Sequence, residues 1–462
     1  MKLCFIAIKV WAMKTNLDTS SLFNKGFLKA LIVPLLIEQI LTLTIGMADT
    51  IMVASVGESA VSGISLVDSL STLFIQLFAA FATGGAVVAS QYMGRKDQNS
   101  ACKSAKQLIY ITALFSLAIT LIGLIFNKSL LALIFGHIED DVMNHAVNYF
   151  IFILISYPFL AITNSANALC RSMGKSKITM NVSIIMNIIN IGGNALLIFV
   201  FKLGTMGAGI SSLLSRVVGA LIMLIVISKK SLPIHLDSLF KFEFSSSMTK
   251  RILRIGLPSG IENSMFHIGK VLVQSLIASF GTASIAANAV VNNICGFANL
   301  PGAVIGMASI TVIGQCVGAK RYDAAKYYAR NLLLLVFGMF IVTCSFFFVT
   351  TPFLSSLYNL SDEAMRLSII NNRFLLICTI LIWPISFTLP NFLRAAGDAR
   401  YTMTISMISM WTFRVVLSYI LGKYLHLGLL GVNISMVIDW CFRSIMFLSR
   451  WLKGKWMSKK VI

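Results

Sequence analysis

The stretch from Leu31 to Met52, LIVPLLIEQILTLTIGMADTIM, is apolar enough and long enough to cross a membrane as one helix. A helix rises 1.5 Å per residue, so about 20 residues span the hydrocarbon core of a bilayer. Two carboxylates nevertheless lie in this stretch, Glu38 and Asp49. A charge at the bilayer centre costs roughly 2.5–3.5 kcal/mol on insertion scales, so each carboxylate is expected to have a partner or a function.

The beginning of this stretch recurs later in the chain. Pro34 and Glu38 align with Pro258 and Glu262 of GLPSGIENSM at an offset of 224 residues. The offset becomes 223 for Arg171 and Arg394 and returns to 224 farther on. Further matches at 224 are Gln91 with Gln315, Gly94 with Gly318, Lys96 with Lys320, Gly204 with Gly428, and Ser211 with Ser435. The sequence therefore predicts two duplicated halves. Asp49 has no acidic counterpart, because the aligned residue is Val273.

Composition places the chain among helical membrane proteins. It is 57% hydrophobic and only 12% charged, whereas soluble proteins carry about 25% charged residues. The apolar runs are continuous rather than alternating, which excludes a β-barrel. The net charge of +21 comes mostly from basic residues in short connectors, so it reflects membrane topology rather than nucleic-acid binding.

Twelve apolar segments predict an all-α polytopic fold of two six-helix parallel repeats around a central cleft. We place an N-terminal lobe at 1–228, a cytoplasmic linker at 229–252 and a C-terminal lobe at 253–462. Lys and Arg concentrate on the side that holds both termini, which the positive-inside rule makes cytoplasmic. Translation starts at Met1, with a basic amphipathic lead-in, or at Met13. The predicted spans are 28–54, 62–92, 104–126, 144–169, 177–200, 206–228, 253–279, 286–316, 327–350, 367–393, 402–421 and 428–450.

Catalytic and metal motifs are missing from the sequence. It contains no HExxH, no GxSxG and no Walker A loop, so we expect neither an enzyme nor an ATP-driven pump. The eight cysteines are scattered without a CxxC pair, which predicts neither a disulfide framework nor a metal site.

Several motifs, in their order along twelve helices, resemble the multidrug and toxic compound extrusion (MATE) family. They are GMADTIMVASVG, AVVASQYMGRKD, GLPSGIENSMF, FGTASIAANAV and LRAAGDAR. The resemblance implies an antiporter that expels organic cations and amphipathic drugs in exchange for inward H⁺ or Na⁺, with two lobes rocking about the cleft. The short loops and the compact length of 462 residues favour a bacterial inner-membrane protein. We expect it to be a monomer in membrane lipid, with no cofactor beyond the coupling ion.

The same resemblance assigns roles to particular residues. Asp49 corresponds to the membrane-embedded coupling carboxylate, and Na⁺ is a possible ligand there. Pro34 corresponds to a hinge fifteen residues earlier. Asn190 and Asn194 match an Asn and an Asp that assist the site, so the second carboxylate is an amide here. A glutamate that one branch carries in helix 7 falls on Phe266.

Other polar residues in the spans are candidates on physical grounds. Glu38 and Glu262 either bind cationic substrate or pair with a nearby base, and Lys270 is one candidate base for Glu262. Asp68 is a secondary candidate in the first lobe. Asp439 and Arg443 are four residues apart and are expected to neutralise each other. A polar stripe on helix 7 either lines the cavity or forms structural pairs; its members are Asn263, His267, Lys270 and Gln274.

Two other transport functions compete with the exporter. A flippase for lipid-linked saccharides would share the general architecture but should have extra helices or a strongly cationic cavity. A channel should show a pore lined by a ring of like charge.

Overall fold

The computed structural model describes residues 22–136, 139–237, 243–358 and 360–462, and this part of the chain is helical with short connectors. The N-terminal lead-in and the choice between Met1 and Met13 lie outside the described residues. The helices are α1 Lys25–Ala54, α2 Glu58–Gly94, α3 Gln98–Ile125, α4 Asn127–Phe135, α5 Asp140–Ser172, α6 Ser176–Asn194, α7 Gly204–Ile227, α8 Ser246–Ala278, α9 Thr282–Ala298, α10 Leu300–Gly318, α11 Tyr322–Ser356, α12 Asp362–Trp383, α13 Leu389–Ala395, α14 Ala399–Ser409 and α15 Gly428–Leu452.

Widened π-helical turns extend or join some of these helices. They lie at Ala195–Val200, Pro384–Thr388, Met410–Val416 and Tyr419–Tyr424, and a 3₁₀ turn follows at Lys455–Ser458. With the π turns included, α12 and α13 form one continuous span, and α14 extends to Tyr424.

Eleven helical segments among the described residues are long and apolar enough to cross a membrane. The remaining predicted span, 253–279, corresponds to α8. This helix has 33 residues but is less apolar because of its glutamate, lysine, histidine and amide side chains. The predicted span 286–316 is interrupted between α9 and α10 at Asn299. The reason is Pro301, which has no N–H to donate to the preceding turn. The all-α, two-repeat fold is confirmed.

The helices form two compact units. The N-terminal unit comprises Lys25–Gly260, and the C-terminal unit comprises Ile261–Ile462 together with residues 22–24. In the N-terminal unit, a buried aromatic core forms around Phe78, Phe150 and Tyr157. Part of the predicted linker is attached to this unit, because Gln107 accepts from Ser245 N at 3.1 Å and donates to Glu243 O. The proposed lobe boundaries stay a prediction.

The backbone repeats the sequence duplication. Lys96 and Lys320 both adopt left-handed conformations, with φ of 61° and 57°. Lys202 and His426 do the same, with φ of 54° and 55°. Such φ values are rare outside glycine. Their recurrence at one offset shows that the connectors, like the helices, are copies of each other.

A buried acid–base cluster occupies the same place in each unit. Glu38 Oε1 lies 3.8 Å from Arg171 Nη2, and Glu38 Oε2 accepts from Thr179 Oγ1 at 2.7 Å. The cluster thereby ties α1 to the end of α5 and the start of α6. Glu38 itself is only 5% exposed.

The C-terminal unit contains the copy. Glu262 Oε1 lies 2.7 Å from Arg394 Nη2, and Glu262 Oε2 accepts from Thr402 Oγ1 at 3.4 Å. Arg394 is thus the base that Glu262 contacts, in place of the suggested Lys270. Of the two roles considered for Glu38 and Glu262, the geometry favours pairing with a nearby base.

Glu38→Gln should destabilise the N-terminal unit, because it leaves the Arg171 charge without its carboxylate. Removing one partner of a buried pair costs about 3–5 kcal/mol, and the 18% exposure of Arg171 places this case at or below the lower end. Thermal unfolding of the detergent-solubilised protein should therefore begin roughly 5–10 °C lower. Glu58→Gln, at an exposed position, is the control and should melt like the wild type. Equal melting of the two variants would contradict the structural role.

Candidate functional site

Asp49 on α1 contacts Asn194 on α6. Asn194 Nδ2 donates to Asp49 Oδ1 at 2.6 Å. The same two helices meet about 16 Å away along α1, at the Glu38–Thr179 hydrogen bond. Two contacts along α1 therefore fix its packing on α6. At the Asp49 contact, a carboxylate lies against an amide rather than against a base.

Asn190 and Asn194 are four residues apart and share one face of α6. Both side chains are almost fully buried, with exposures of 5% and 1%. Asn190 Nδ2 donates to Ser212 Oγ at 3.3 Å, and Asn190 O accepts from Ser211 Oγ at 2.6 Å. Both side-chain oxygens, Asn190 Oδ1 and Asn194 Oδ1, lack a hydrogen-bond partner among the described residues.

Unpaired buried amide oxygens are costly, so they mark a place where a donor or a cation is expected. A protonated carboxylic acid could donate a hydrogen bond to them. Sodium could instead use them as hard oxygen ligands together with a carboxylate. The resemblance to the family predicted that Asn190 and Asn194 accompany Asp49, and the structure brings Asn194 into contact with it.

Close packing of α6 on α7 holds the asparagines in place. A Cβ at Gly193 would lie 2.5 Å from Ser211 Oγ, so glycine is needed for this approach. The backbone changes to a π-helical turn, Ala195–Val200, directly after Asn194. Such turns are frequent at functional sites, since they leave the regular hydrogen-bond ladder.

Asp68 and Arg216 provide the other charges near Asp49, and both are close enough to act on it electrostatically. Asp68 Oδ1 accepts from Tyr149 OH at 3.3 Å. Arg216 Nη1 donates to Ser156 Oγ at 2.6 Å and has no carboxylate within 4 Å in the described chain. Asp68 was a candidate from the sequence, which contained no signal that Tyr149 would contact it.

The C-terminal unit has a different arrangement at the corresponding level. Asp439 is fully buried and lies 2.9 Å from Arg443 Nε and 3.7 Å from Arg414 Nη1. The predicted Asp439–Arg443 pair is confirmed, and Arg414 joins it. Both guanidinium groups stack over Phe266, with distances to the ring centroid of 5.0 Å for Arg414 and 5.4 Å for Arg443.

The residues of the polar stripe on α8 lie in different surroundings. Lys270 and Gln274 line a cavity of about 280 Å³ inside the C-terminal unit, whereas Asn263 and His267 are outside its lining. Gln274 Oε1 accepts from Asn288 Nδ2 at 2.8 Å. The described residues contain no group of three or more His, Cys, Asp or Glu side chains that could hold a metal. A bound sodium ion would therefore need amide oxygens beside its carboxylate.

Comparisons with known proteins agree along the whole chain. The MatE family model matches residues 34–196 and 258–420, one match in each repeat. The chain is 29% identical to an uncharacterized transporter, YisQ, of Bacillus subtilis over 98% of both chains. It is 26% identical to a probable multidrug resistance protein, NorM, of Thermotoga maritima over 94% of this chain and 93% of the relative.

A solved structure shows the same fold. It is the outward-facing conformation of a multidrug resistance MATE family transporter, which superposes with a TM-score of 0.87 at 20% identity. The match covers 93% of this chain and 95% of the other.

Two neighbouring glycines provide a test of the α6–α7 contact. Gly193→Ala should destabilise the protein by about 1–3 kcal/mol, since Ser211 must move and lose its hydrogen bond to Asn190. Gly192→Ala should be neutral or slightly stabilising, because a Cβ there meets nothing within 4 Å and alanine favours helix by about 1 kcal/mol. Thermal melting of the two variants in detergent measures the difference. Similar melting temperatures would show that α6 and α7 do not pack this closely.

Proposed function

Because the chain belongs to the MATE family of membrane transporters, we propose that it is a secondary active multidrug exporter. It moves amphipathic organic cations and other drugs out of the cell in exchange for inward H⁺ or Na⁺. Members of this family are transporters rather than enzymes, and the chain is a multi-pass membrane protein. Its bacterial relatives support a place in the inner membrane, with both termini in the cytoplasm by the positive-inside rule.

The contact between Asp49 and Asn194 carries the proposal. In the proton-loaded state, a neutral Asp49 donates to one of the buried amide oxygens of Asn190 or Asn194. In the sodium-loaded state, the same oxygens and the Asp49 carboxylate coordinate the ion. Either ion removes the net negative charge of Asp49. Binding and release at opposite membrane faces therefore change how favourably α1 packs on α6.

The energy available is sufficient for such exchange. One proton or sodium ion entering down a potential of 100 mV releases about 2.3 kcal/mol. A monovalent drug cation leaving against the same potential costs a similar amount. One-for-one exchange is therefore electrically neutral and is driven by the chemical gradient of the coupling ion.

Pro34 provides the hinge for this change. It lies inside α1, one turn before the Glu38 cluster, and a proline in a helix removes one backbone hydrogen bond. Glu38 and Asp49 both lie on the same side of Pro34, so a bend there displaces them together relative to the start of α1. We propose that α1 bends at Pro34 when Asp49 changes its charge, and that the two lobes rock about their cleft.

The relatives favour the exporter over the flippase. Probable multidrug resistance proteins are prominent among them.

Asp49→Asn should abolish coupled efflux. Cells that express the wild type should accumulate less ethidium, and the variant should lose this difference. Loss of one coupling ion at 100 mV lowers the attainable drug gradient about 50-fold. Asp140→Asn, at an exposed helix start in the same unit, is the matched control and should behave like the wild type. Unchanged efflux by Asp49→Asn at equal expression would contradict the coupling role.

The coupling ion can be identified in proteoliposomes under separately imposed pH and Na⁺ gradients. Only one gradient should drive drug uptake into inside-out vesicles. Asn194→Ala should raise the concentration of that ion needed for half-maximal transport by roughly tenfold, the value of one charge-assisted hydrogen bond. An unchanged requirement would show that Asn194 does not contribute to the ion site.

A further inference from the structure

We infer that the cavity in the C-terminal unit binds the carboxylate of a small aromatic solute. The cavity has a volume of about 280 Å³ and is lined entirely by residues of this unit. Assigning it as a substrate site rests on the proposed export function, but binding itself can be measured independently. The argument depends on the hydrogen-bond donors and the charges that face the cavity.

Arg414 is the first of these groups. Its side chain is 11% exposed. Nη1 lies 3.7 Å from Asp439 Oδ2, which is too long for a hydrogen bond. Nη2 contacts only the thioether sulfur of Met436, a weak acceptor. A nearly buried guanidinium therefore has no oxygen acceptor within hydrogen-bond distance among the described residues, and it lines the cavity.

Lys270 brings a second positive charge to the same space. It makes no ion pair or hydrogen bond with any described residue, and it is close enough to Arg414 for the two charges to repel each other. An anion between them would remove that repulsion. Gln274, one turn later on α8, has its oxygen engaged by Asn288. Its amide N–H groups make no hydrogen bond with the described residues, and Gln274 belongs to the lining.

Trp440 adds a further donor. Its indole Nε1 is buried and has no acceptor in the described part of the chain. The lining also contains one buried acceptor without a partner, Asn299 Oδ1, which suits a hydroxyl or amide substituent on the ligand. Donors nevertheless outnumber acceptors, because Arg414 and the solvent-exposed Lys270 also lack an oxygen acceptor among the described residues. A ligand with acceptor oxygens satisfies several of them at once.

The charge balance excludes a cationic ligand in this cavity. No carboxylate belongs to its lining in the described residues. The nearest acids are already neutralised, because Asp439 is shared by two arginines and Glu262 is paired with Arg394. The surroundings thus keep a net positive charge, which favours an anion.

The shape of the walls selects an aromatic carboxylate. Trp383 and Phe387 are stacked with ring centroids 4.9 Å apart and form one wall of the cavity. Because these rings already stack on each other and Arg443 lies over Phe387, a flat ligand ring would pack against the wall edge to face. Guanidinium, amide and indole N–H groups donate in a plane, which matches the planar carboxylate.

Tryptophan fluorescence provides a direct test on the full-length protein in detergent. Three ring-matched quenchers differ only in charge: 3-bromobenzoate, 3-bromobenzamide and 3-bromobenzylammonium. The bromine atom quenches only indoles near it, and Trp383 and Trp440 both line the cavity. We expect saturable quenching by the benzoate, with an affinity roughly tenfold or more above that of the amide. The ammonium compound should bind weakest.

Lys270→Gln should remove most of the preference for benzoate, and Trp440→Phe should weaken benzoate binding several-fold while preserving the aromatic wall. Lys453→Gln removes a charge from an exposed position of the same unit and should keep wild-type binding. The wild-type comparison alone stays informative even when a variant fails to fold. Equal affinity for the three compounds, preference for the ammonium, or an unchanged Lys270→Gln variant would overturn the inference.

The ethidium assay separates this inference from the proposed function. Benzoate binding without drug efflux would support the site and contradict the exporter. Efflux that depends on Asp49, with no charge preference in quenching, would support the exporter and contradict the site. Saturable displacement by inorganic phosphate alone would show a general anion site and contradict the aromatic carboxylate.

Discussion

A charge inside a bilayer must be neutralised or hydrogen-bonded, and this constraint organises the structure. Glu38 and Glu262 each meet it with an arginine and a threonine from helices far along the chain. The two clusters attach α1 and α8, each just beyond its proline, to the rest of their units. Loss of the glutamate or of the arginine would leave a charge unpaired in an apolar interior.

The two units differ in how they neutralise or hydrogen-bond their other buried charges. Asp49 contacts an amide, and the aligned position in the C-terminal unit is the apolar Val273. Conversely, Asn190 aligns with Arg414 at the offset of 224. One repeat thus has a carboxylate with amide oxygens, and the other has guanidinium groups around a cavity. The same backbone therefore presents polar groups of opposite charge in the two units.

The structure explains why the offset between the two repeats changes from 223 back to 224 near their ends. The offset is 223 at Thr179 and Thr402, and it is 224 at the π-helical turns Ala195–Val200 and Tyr419–Tyr424. The second repeat has an additional π-helical turn between these points, Met410–Val416. A π turn takes up more residues than an α turn, so it accommodates one extra residue without rotating the remaining helix. Arg414 lies in this turn, which positions it at the cavity.

The sequence by itself determined the helical class, the approximate spans and the duplication. These features depend on local composition, on periodicity and on comparison of the two halves. The sequence also predicted the Asp439–Arg443 ion pair, because residues four apart on a helix are neighbours on its surface. Only the tertiary structure decided that Glu38 meets Thr179, that Glu262 meets Arg394 rather than Lys270, and that Lys270 and Gln274 line a cavity with Arg414. Those contacts join helices far apart in sequence, and the periodicity of a helix fixes the face of a residue but not the side chain opposite it.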